Sequence, residues 1–245
     1  MNFARTPPDR IVREFFAQKA AGYDAAPVHT ADEHTQALGR IAAMARDLQC
    51  SSILDVGCGT GRAIQQLARE LPGVRLCGMD FSFEMLEQGR KKKIARADLL
   101  QCDGYHLPLR DATFDAVCEF ALLHHVRHPN QVVAEMCRVA RKAVFLSDHN
   151  RYGQGSLPER LLKLALRGVG LMDFAFYIRT GGRGYGLSEG DGLSYSYSVF
   201  DSYPLLSEWA DRIFEISIRG SARYPLLTAE HVLVVAIREG GARAE

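Results

Sequence analysis

Ile53-Leu54-Asp55-Val56-Gly57-Cys58-Gly59-Thr60-Gly61, followed at once by Arg62, decides how the rest of the chain is read. A short apolar run bounded by glycines has the length and composition of a buried strand. Glycines at alternate positions then let the backbone come close to a ligand, where a side chain would collide. Arg62 opens a helix over about 62–70, whose first N–H groups have no partner within the helix and point back at the turn. Asp55 stands near the strand end, where it can accept a hydrogen bond from a hydroxyl or cationic group. The spacing is G-x-G-x-G, which differs from the dinucleotide pattern G-x-G-x-x-G.

A nucleotide-type site needs a second strand beside the first, and Val74-Arg75-Leu76-Cys77-Gly78-Met79 supplies one, ending at Asp80. Asp80 lies about 20 residues past the last glycine, the offset of a ribose-binding carboxylate. In an open parallel sheet ligands bind at the carboxyl ends of the strands, so Asp55 and Asp80 are expected at neighbouring tips. LDVGCGTGR, MDFSFEML, CDGYHLPLRDATFDAV and ALLHHV, in that order, resemble a class I S-adenosylmethionine-dependent methyltransferase. The resemblance covers about residues 50–148. It is greatest to the broad group that includes quinone-biosynthesis C-methyltransferases and small-molecule methyltransferases.

Composition narrows the partners. A length of 245 residues fits one sizeable domain. The hydrophobic and charged fractions, 47% and 24%, are those of a globular protein. A formal net charge of +1 gives no electrostatic case for nucleic acid, so no nucleic-acid partner is expected. The run Arg90-Lys91-Lys92-Lys93 reads as a solvated helix end. Cys50, Cys58, Cys77, Cys102, Cys118 and Cys137 form no C-x-x-C, which points to reduced thiols and a cytoplasmic setting. MNFARTPPDR lacks signal-peptide form, and no apolar run is long enough to span a bilayer, so stable membrane insertion is not expected.

Along the chain, helices are expected over about 10–20 and 32–48, with Gly22-Tyr23-Asp24 ending the first. Strands follow over 52–56, 75–79, 98–102, 115–120 and 143–147, with crossover helices over 62–70, 82–93 and 129–140. That alternation argues an α/β doubly wound, mostly parallel sheet. After Asp148 the pattern breaks into an irregular insertion over 149–203. A helix over 204–211 and strand-like stretches over 213–218 and 231–238 come next, and Gly240-Gly241 reads as a frayed tail. The resemblance makes the last two strands the end of a seven-stranded Rossmann-like sheet, the final one antiparallel. The whole, 1–245, is then a single methyltransferase domain with a helical N-terminal cap (1–48) and a substrate lid (149–203).

The resemblance implies S-adenosyl-L-methionine as cofactor and assigns its contacts. Gly57, Cys58, Gly59 and Gly61 form the turn under the methionine end, where Asp55 accepts directly or through water. Asp80 takes the ribose diol, since one carboxylate accepts from two hydroxyls; Ser82 is the better cap for the next helix. Phe81 flanks the adenine, Asp103 accepts from its amino group, and the Gly104 amide faces the ring. Glu119 and Phe120 close the fourth strand beside the amino group, and Tyr23 closes over the carboxylate.

Methyl transfer from a sulfonium needs alignment and, for an acidic nucleophile, a proton acceptor. His124 and His125 follow the fourth strand and are the catalytic candidates. Asp148-His149-Asn150 offers hard oxygen ligands for Mg²⁺, but His149 splits the pair and no matching aspartate ends the fourth strand, so no metal is expected. The insertion carries a leucine-rich helix from Leu157, Gly181-Gly182-Arg183-Gly184 as a hinge, and aromatic residues to Tyr203. It suits a lid over an acceptor, a homodimer face, or an interfacial membrane contact. The reading is methyl transfer to a small, apolar or aromatic acceptor. A tRNA or protein methyltransferase and a noncatalytic S-adenosylmethionine-binding protein are the alternatives. A nicotinamide oxidoreductase fits less well, for lack of Tyr-x-x-x-Lys.

Overall fold

In the computed structural model, which describes residues 7–25, 33–221 and 223–240, the opening motif forms strand β1 (Ser52–Val56), buried along its whole length. It pairs in parallel with β2 (Arg75–Asp80) on one side and β4 (Phe114–Phe120) on the other. β3 (Ala97–Gln101) extends the sheet beyond β2, and β5 (Ala140–His149) continues it beyond β4. β9 (Ala229–Ile237) inserts antiparallel between β5 and the edge strand β8 (Arg212–Gly220), giving the order β3-β2-β1-β4-β5-β9-β8.

Alternation along the strands sends successive side chains to opposite faces. Ile53 packs with Leu38 and Ile41 of α2 (Glu33–Asp47) and with Ile64 and Leu67 of α3 (Arg62–Glu70). Leu54 and Val56 pack on the other face with Val132 and Met136 of α5 (Pro129–Val139) and Leu206 of α8 (Tyr203–Trp209). Both faces are covered, which is why the central strands read as continuous apolar runs. Asp55 therefore points toward the α2/α3 face. Helix α4 (Phe83–Lys91) covers β2 and β3, with Ser82 accepting from the Met85 N–H at its start.

Helix α1 (Pro8–Lys19) leads into a 3-10 turn over Ala20–Ala25 that holds Tyr23 and Asp24. Residues 1–6 and 26–32 of the expected cap, and Gly241 of the expected tail, lie outside the described residues. Several boundaries differ from expectation. α4 stops at Lys91 because Lys93 takes a left-handed φ of 48°. β5 extends to His149, since its antiparallel partner keeps pairing as far as His149 with His231.

The stretch 149–203 is ordered where an irregular insertion was expected. It holds α6 (Leu157–Gly168), α7 (Met172–Arg179) and a hairpin of β6 (Gly186–Ser188) with β7 (Gly192–Ser194). α6 and α7 bury no residue, and Leu161, Leu162, Phe174 and Ile178 stand more than half exposed. The hairpin is the part that packs against α1, through Leu193 with Ile11 and Val12. A short helix α9 (Pro225–Thr228) precedes β9. All six cysteines are free thiols. Among the described residues no helix is long and apolar enough to cross a membrane.

Candidate active site

The glycine turn is fixed by its backbone. Gly57, Gly59 and Gly61 all have left-handed φ, at 76°, 53° and 70°, which residues with a Cβ adopt at a cost. The Gly57 and Cys58 N–H groups donate to the Met79 carbonyl, binding the turn to the end of β2. A Cβ on Gly57 would stand 2.8 Å from Leu122 Cδ1. Two clefts open at these strand ends. They share Tyr23, Gly57, Gly59, Phe120 and His125 in their walls.

Asp80, Phe81, Asp103 and Gly104 line the first cleft together, as expected. Asp80 Oδ2 accepts the Gly59 N–H at 2.8 Å and Oδ1 accepts the Ser82 N–H at 2.8 Å. Burial pushes the Asp80 pKa up, and these amide bonds hold part of that rise back. Each oxygen keeps acceptor capacity, so the group can still receive two hydroxyls. Asp103 Oδ1 accepts the Tyr105 N–H, shaping the turn that carries Gly104 past Val56 and Val132. The Arg13 guanidinium lies over the Phe81 ring at 5.5 Å.

The second cleft is lined by Asp55 and Cys58, with His149, Asp191, Arg219 and His231 across from them. Asp55 is buried, and neither carboxylate oxygen has a hydrogen-bond partner. Burial, with Asp80 nearby, raises its pKa well above the usual carboxylate range. The Cys58 thiol is also buried and packs where a Cβ on Gly78 would stand, 2.7 Å from its Sγ.

Two expected contacts fall outside both clefts. Gly61 opens α3, donates to the Cys58 carbonyl and faces Ile94 and Leu99; it shapes the turn and lines nothing. Phe120 lines both clefts, but the preceding Glu119 points to the other face of the sheet, fully buried, with Oε2 accepting the Leu122 N–H. Burial and the neighbouring Asp148 raise its pKa well above the usual carboxylate range.

Tyr23 reaches both clefts, and burial pushes its hydroxyl up to about 12. Its neighbour Asp24 makes a tether that the sequence did not announce. Asp24 accepts from Thr60 Oγ1 at 2.5 Å and pairs with Lys92 Nζ at 2.6 Å, and Lys92 also donates to Thr60. Lys92 is thus mostly buried and paired, where a solvated basic helix end was expected.

His124 and His125 stand side by side, their ring centroids 4.0 Å apart, in opposite states. His124 Nδ1 lies 2.6 Å from Asp148 Oδ1. Burial opposes a charge on this ring, but Asp148 overrides it and carries the pKa up to about 10. His125 Nδ1 lies 2.6 Å from the Leu193 carbonyl, so that nitrogen carries the hydrogen and Nε2 the lone pair. Burial, with charged His124 alongside, pushes His125 down to about 4. Only His125 lines the clefts.

Asp148 and Asn150, weighed as a metal pair, are both committed elsewhere. Asp148 also accepts the Leu123, His124 and His149 N–H groups. Asn150 Nδ2 donates to the Pro225, Leu226 and Ala229 carbonyls, while Oδ1 accepts from Tyr152 and Ser198.

The sequence profile of the family described as "Methyltransferase domain" matches residues 54–147. The ubiquinone/menaquinone biosynthesis C-methyltransferase UbiE of Desulfotalea psychrophila is 35% identical over 102 residues, 41% of this chain and 42% of that protein. A demethylmenaquinone methyltransferase of Roseiflexus sp. is 31% identical over 140 residues, 55% of this chain and 59% of that one. The chain spans about half the length of the curated relatives it matches. The Synechocystis magnesium protoporphyrin IX methyltransferase, solved with bound SAH, shares the fold at a TM-score of 0.61 and 19% identity, over 94% of this chain and 100% of that one. With the glycine turn and the seven-stranded sheet in place, residues 54–147 carry the sequence of a methyltransferase domain, and the chain as a whole has the fold of the methyltransferases it resembles.

Proposed function

We propose that this protein transfers a methyl group from S-adenosylmethionine to a small acceptor. The observation that carries the reading is the Asp80 carboxylate, locked by the Gly59 and Ser82 amides in one cleft with Asp103 and Gly104. The residues fit the cofactor: Asp80 retains acceptor capacity for a diol, and Asp55 presents two buried oxygens without partners to the wall of the adjoining cleft. When bound, the cofactor supplies an activated methyl group, so the chain's own residues bind, align and exclude water.

In this reading Asp80 and Asp103 hold the adenosine part, with Phe81 and the Gly104 amide against the base. The Gly57–Gly59 backbone, Asp55, Tyr23 and Phe120 enclose the methionine part. His124 is a positioning residue, because its charge is tied to Asp148. His125, neutral and cleft-facing, is the group that can take a proton from an acceptor. The acceptor wall mixes Phe15 and Phe16 with His149, His231 and Arg219, which favours an apolar or aromatic body carrying an ionisable oxygen. The lid function narrows to the β6–β7 hairpin, whose Leu193 carbonyl fixes His125. The UbiE and demethylmenaquinone methyltransferase relatives are named for quinone substrates, which supports the small-molecule class.

Titration calorimetry with S-adenosylmethionine tests the reading. The folded protein should bind at one site, and Asp80→Ala should weaken binding by about 1–3 kcal/mol, the loss for hydrogen bonds to a charged group. No binding by folded wild-type protein overturns the proposal.

A further inference from the structure

A dense group of titratable side chains lies beneath the β6–β7 hairpin, and only His125 of it also lines the cleft that Asp80 organises. His124 Nε2 stands 3.4 Å from Asp191 Oδ2, and His125 Nε2 stands 3.6 Å from Asp191 Oδ1. The three donor atoms all lie within 4.8 Å of one another. His124 Nε2 is buried and makes no hydrogen bond.

Both rings have one nitrogen committed. His124 Nδ1 is held by Asp148 Oδ1 and His125 Nδ1 by the Leu193 carbonyl, so the two Nε2 atoms are left to face the Asp191 carboxylate. Histidine ligates a metal through a deprotonated nitrogen, so an ion entering here displaces any proton held on His124 Nε2.

The surroundings are those of a metal-binding histidine pair. Ligating imidazoles donate their other ring N–H to a carboxylate or a backbone carbonyl, which fixes tautomer and orientation. Here Asp148 does this for His124 and Leu193 for His125. Asp191 is held in place as well. Its N–H donates to Ser188 Oγ, and the Tyr195 N–H donates to the His124 carbonyl. Gly192 has φ +77°, and a Cβ there would stand 2.8 Å from the Phe15 ring, so the hairpin meets α1 closely only with glycine at this point. The two imidazoles face different Asp191 oxygens, at 3.4 and 3.6 Å, so the carboxylate spans the gap between them.

We propose that His124 Nε2, His125 Nε2 and Asp191 form a three-ligand site for a divalent transition-metal ion of the Zn²⁺ or Fe²⁺ type, closed by the β6–β7 hairpin. Two imidazoles with one carboxylate suit such ions, and three protein ligands leave a coordination position open. His125 and Asp191 both line the second cleft, so the open position lies where an acceptor oxygen can reach it. That role of the ion rests on the methyl-transfer reading and replaces proton uptake by His125, whose Nε2 cannot serve both; the binding of the ion does not rest on that reading.

The test is Co²⁺ titration of chelator-treated, full-length protein, followed by visible absorption. One equivalent should develop the ligand-field bands of a four- or five-coordinate ion. Asp191→Ala and His125→Gln should each weaken binding by more than the roughly 10–100-fold typical of losing a supporting partner. Asp191 sits on a half-exposed turn, and circular dichroism should show that variant folded as the parent is. Absence of bands at excess Co²⁺ overturns the proposal. So do bands that survive both substitutions, or that carry thiolate charge transfer from the cysteines. S-adenosylmethionine calorimetry on the same samples separates the two ideas: a silent cofactor titration beside intact Co²⁺ binding removes the methyltransferase reading and leaves the metal site standing.

Discussion

The two ends of the composite cleft are built from different materials. At the Asp80 end the contacts are mostly backbone: glycine φ values, the Met79 carbonyl, and the Gly59 and Ser82 amides, gathered from residues 57–82. At the histidine end they are side chains from distant segments, with His124, Asp148, Asp191 and His231 arriving on separate elements. Backbone contacts within one β-α-β unit fix a shape that tolerates little drift, which suits a ligand common to many relatives. Side-chain contacts from separate elements change one at a time, which suits an acceptor that differs between them.

If that contrast holds, single substitutions should act differently at the two ends. The largest effect is expected from Asp148→Ala. It leaves His124 buried without its main partner and frees three backbone N–H groups, so denaturant unfolding should show a loss of about 3–5 kcal/mol. A loss below 1 kcal/mol would mean that the histidine end does not depend on the pair. Gly57→Ala should cost less, about 1–3 kcal/mol by the same measurement, from a left-handed φ and the approach to Leu122. Under the proposed binding mode its affinity for S-adenosylmethionine should fall alongside.

Asp55 gives a pH test. Its folded pKa is raised above the unfolded value, chiefly by burial, so the unfolded chain releases this proton first. Stability therefore declines as pH rises past the unfolded carboxylate range, and Asp55→Asn should remove that part of the decline. The variant should gain on the parent steadily from about pH 4 upward, and parallel pH–stability curves would contradict the assignment. The smallest effect belongs to Lys92→Ala. An ion pair whose Asp24 end is open to solvent contributes about 0–1 kcal/mol, so melting should hardly shift, and the change should appear in cofactor dissociation rate instead.

The same division explains what the sequence revealed. The sheet from β1 to β5, the turn, the Ser82 cap and the Asp80 offset were legible, because each is a local pattern within a few dozen residues. Gly61 was over-read: it belongs to the turn by spacing but faces Ile94 and Leu99. The Asp24–Thr60–Lys92 tether was hidden, since its members lie 36 and 32 residues apart and nothing in a basic run marks which lysine turns inward. Asp191 was invisible for another reason. Strands of three residues in a glycine-rich stretch carry no alternation, and nothing beyond the expected hinge that begins at Gly181 marks a hairpin until pairing is seen. The fifth strand was expected to end at 147 because polar residues at a sheet's end give no sign that β9 keeps pairing with them.

The Asp24 tether also bears on timing. It links the segment carrying Tyr23 to Thr60 within the glycine motif and to the end of α4, and Tyr23 itself lines both clefts. Under the proposed binding mode, a spent ligand leaving past Tyr23 would wait for those polar links to part, and added salt, by screening one charged clasp, should hasten its release.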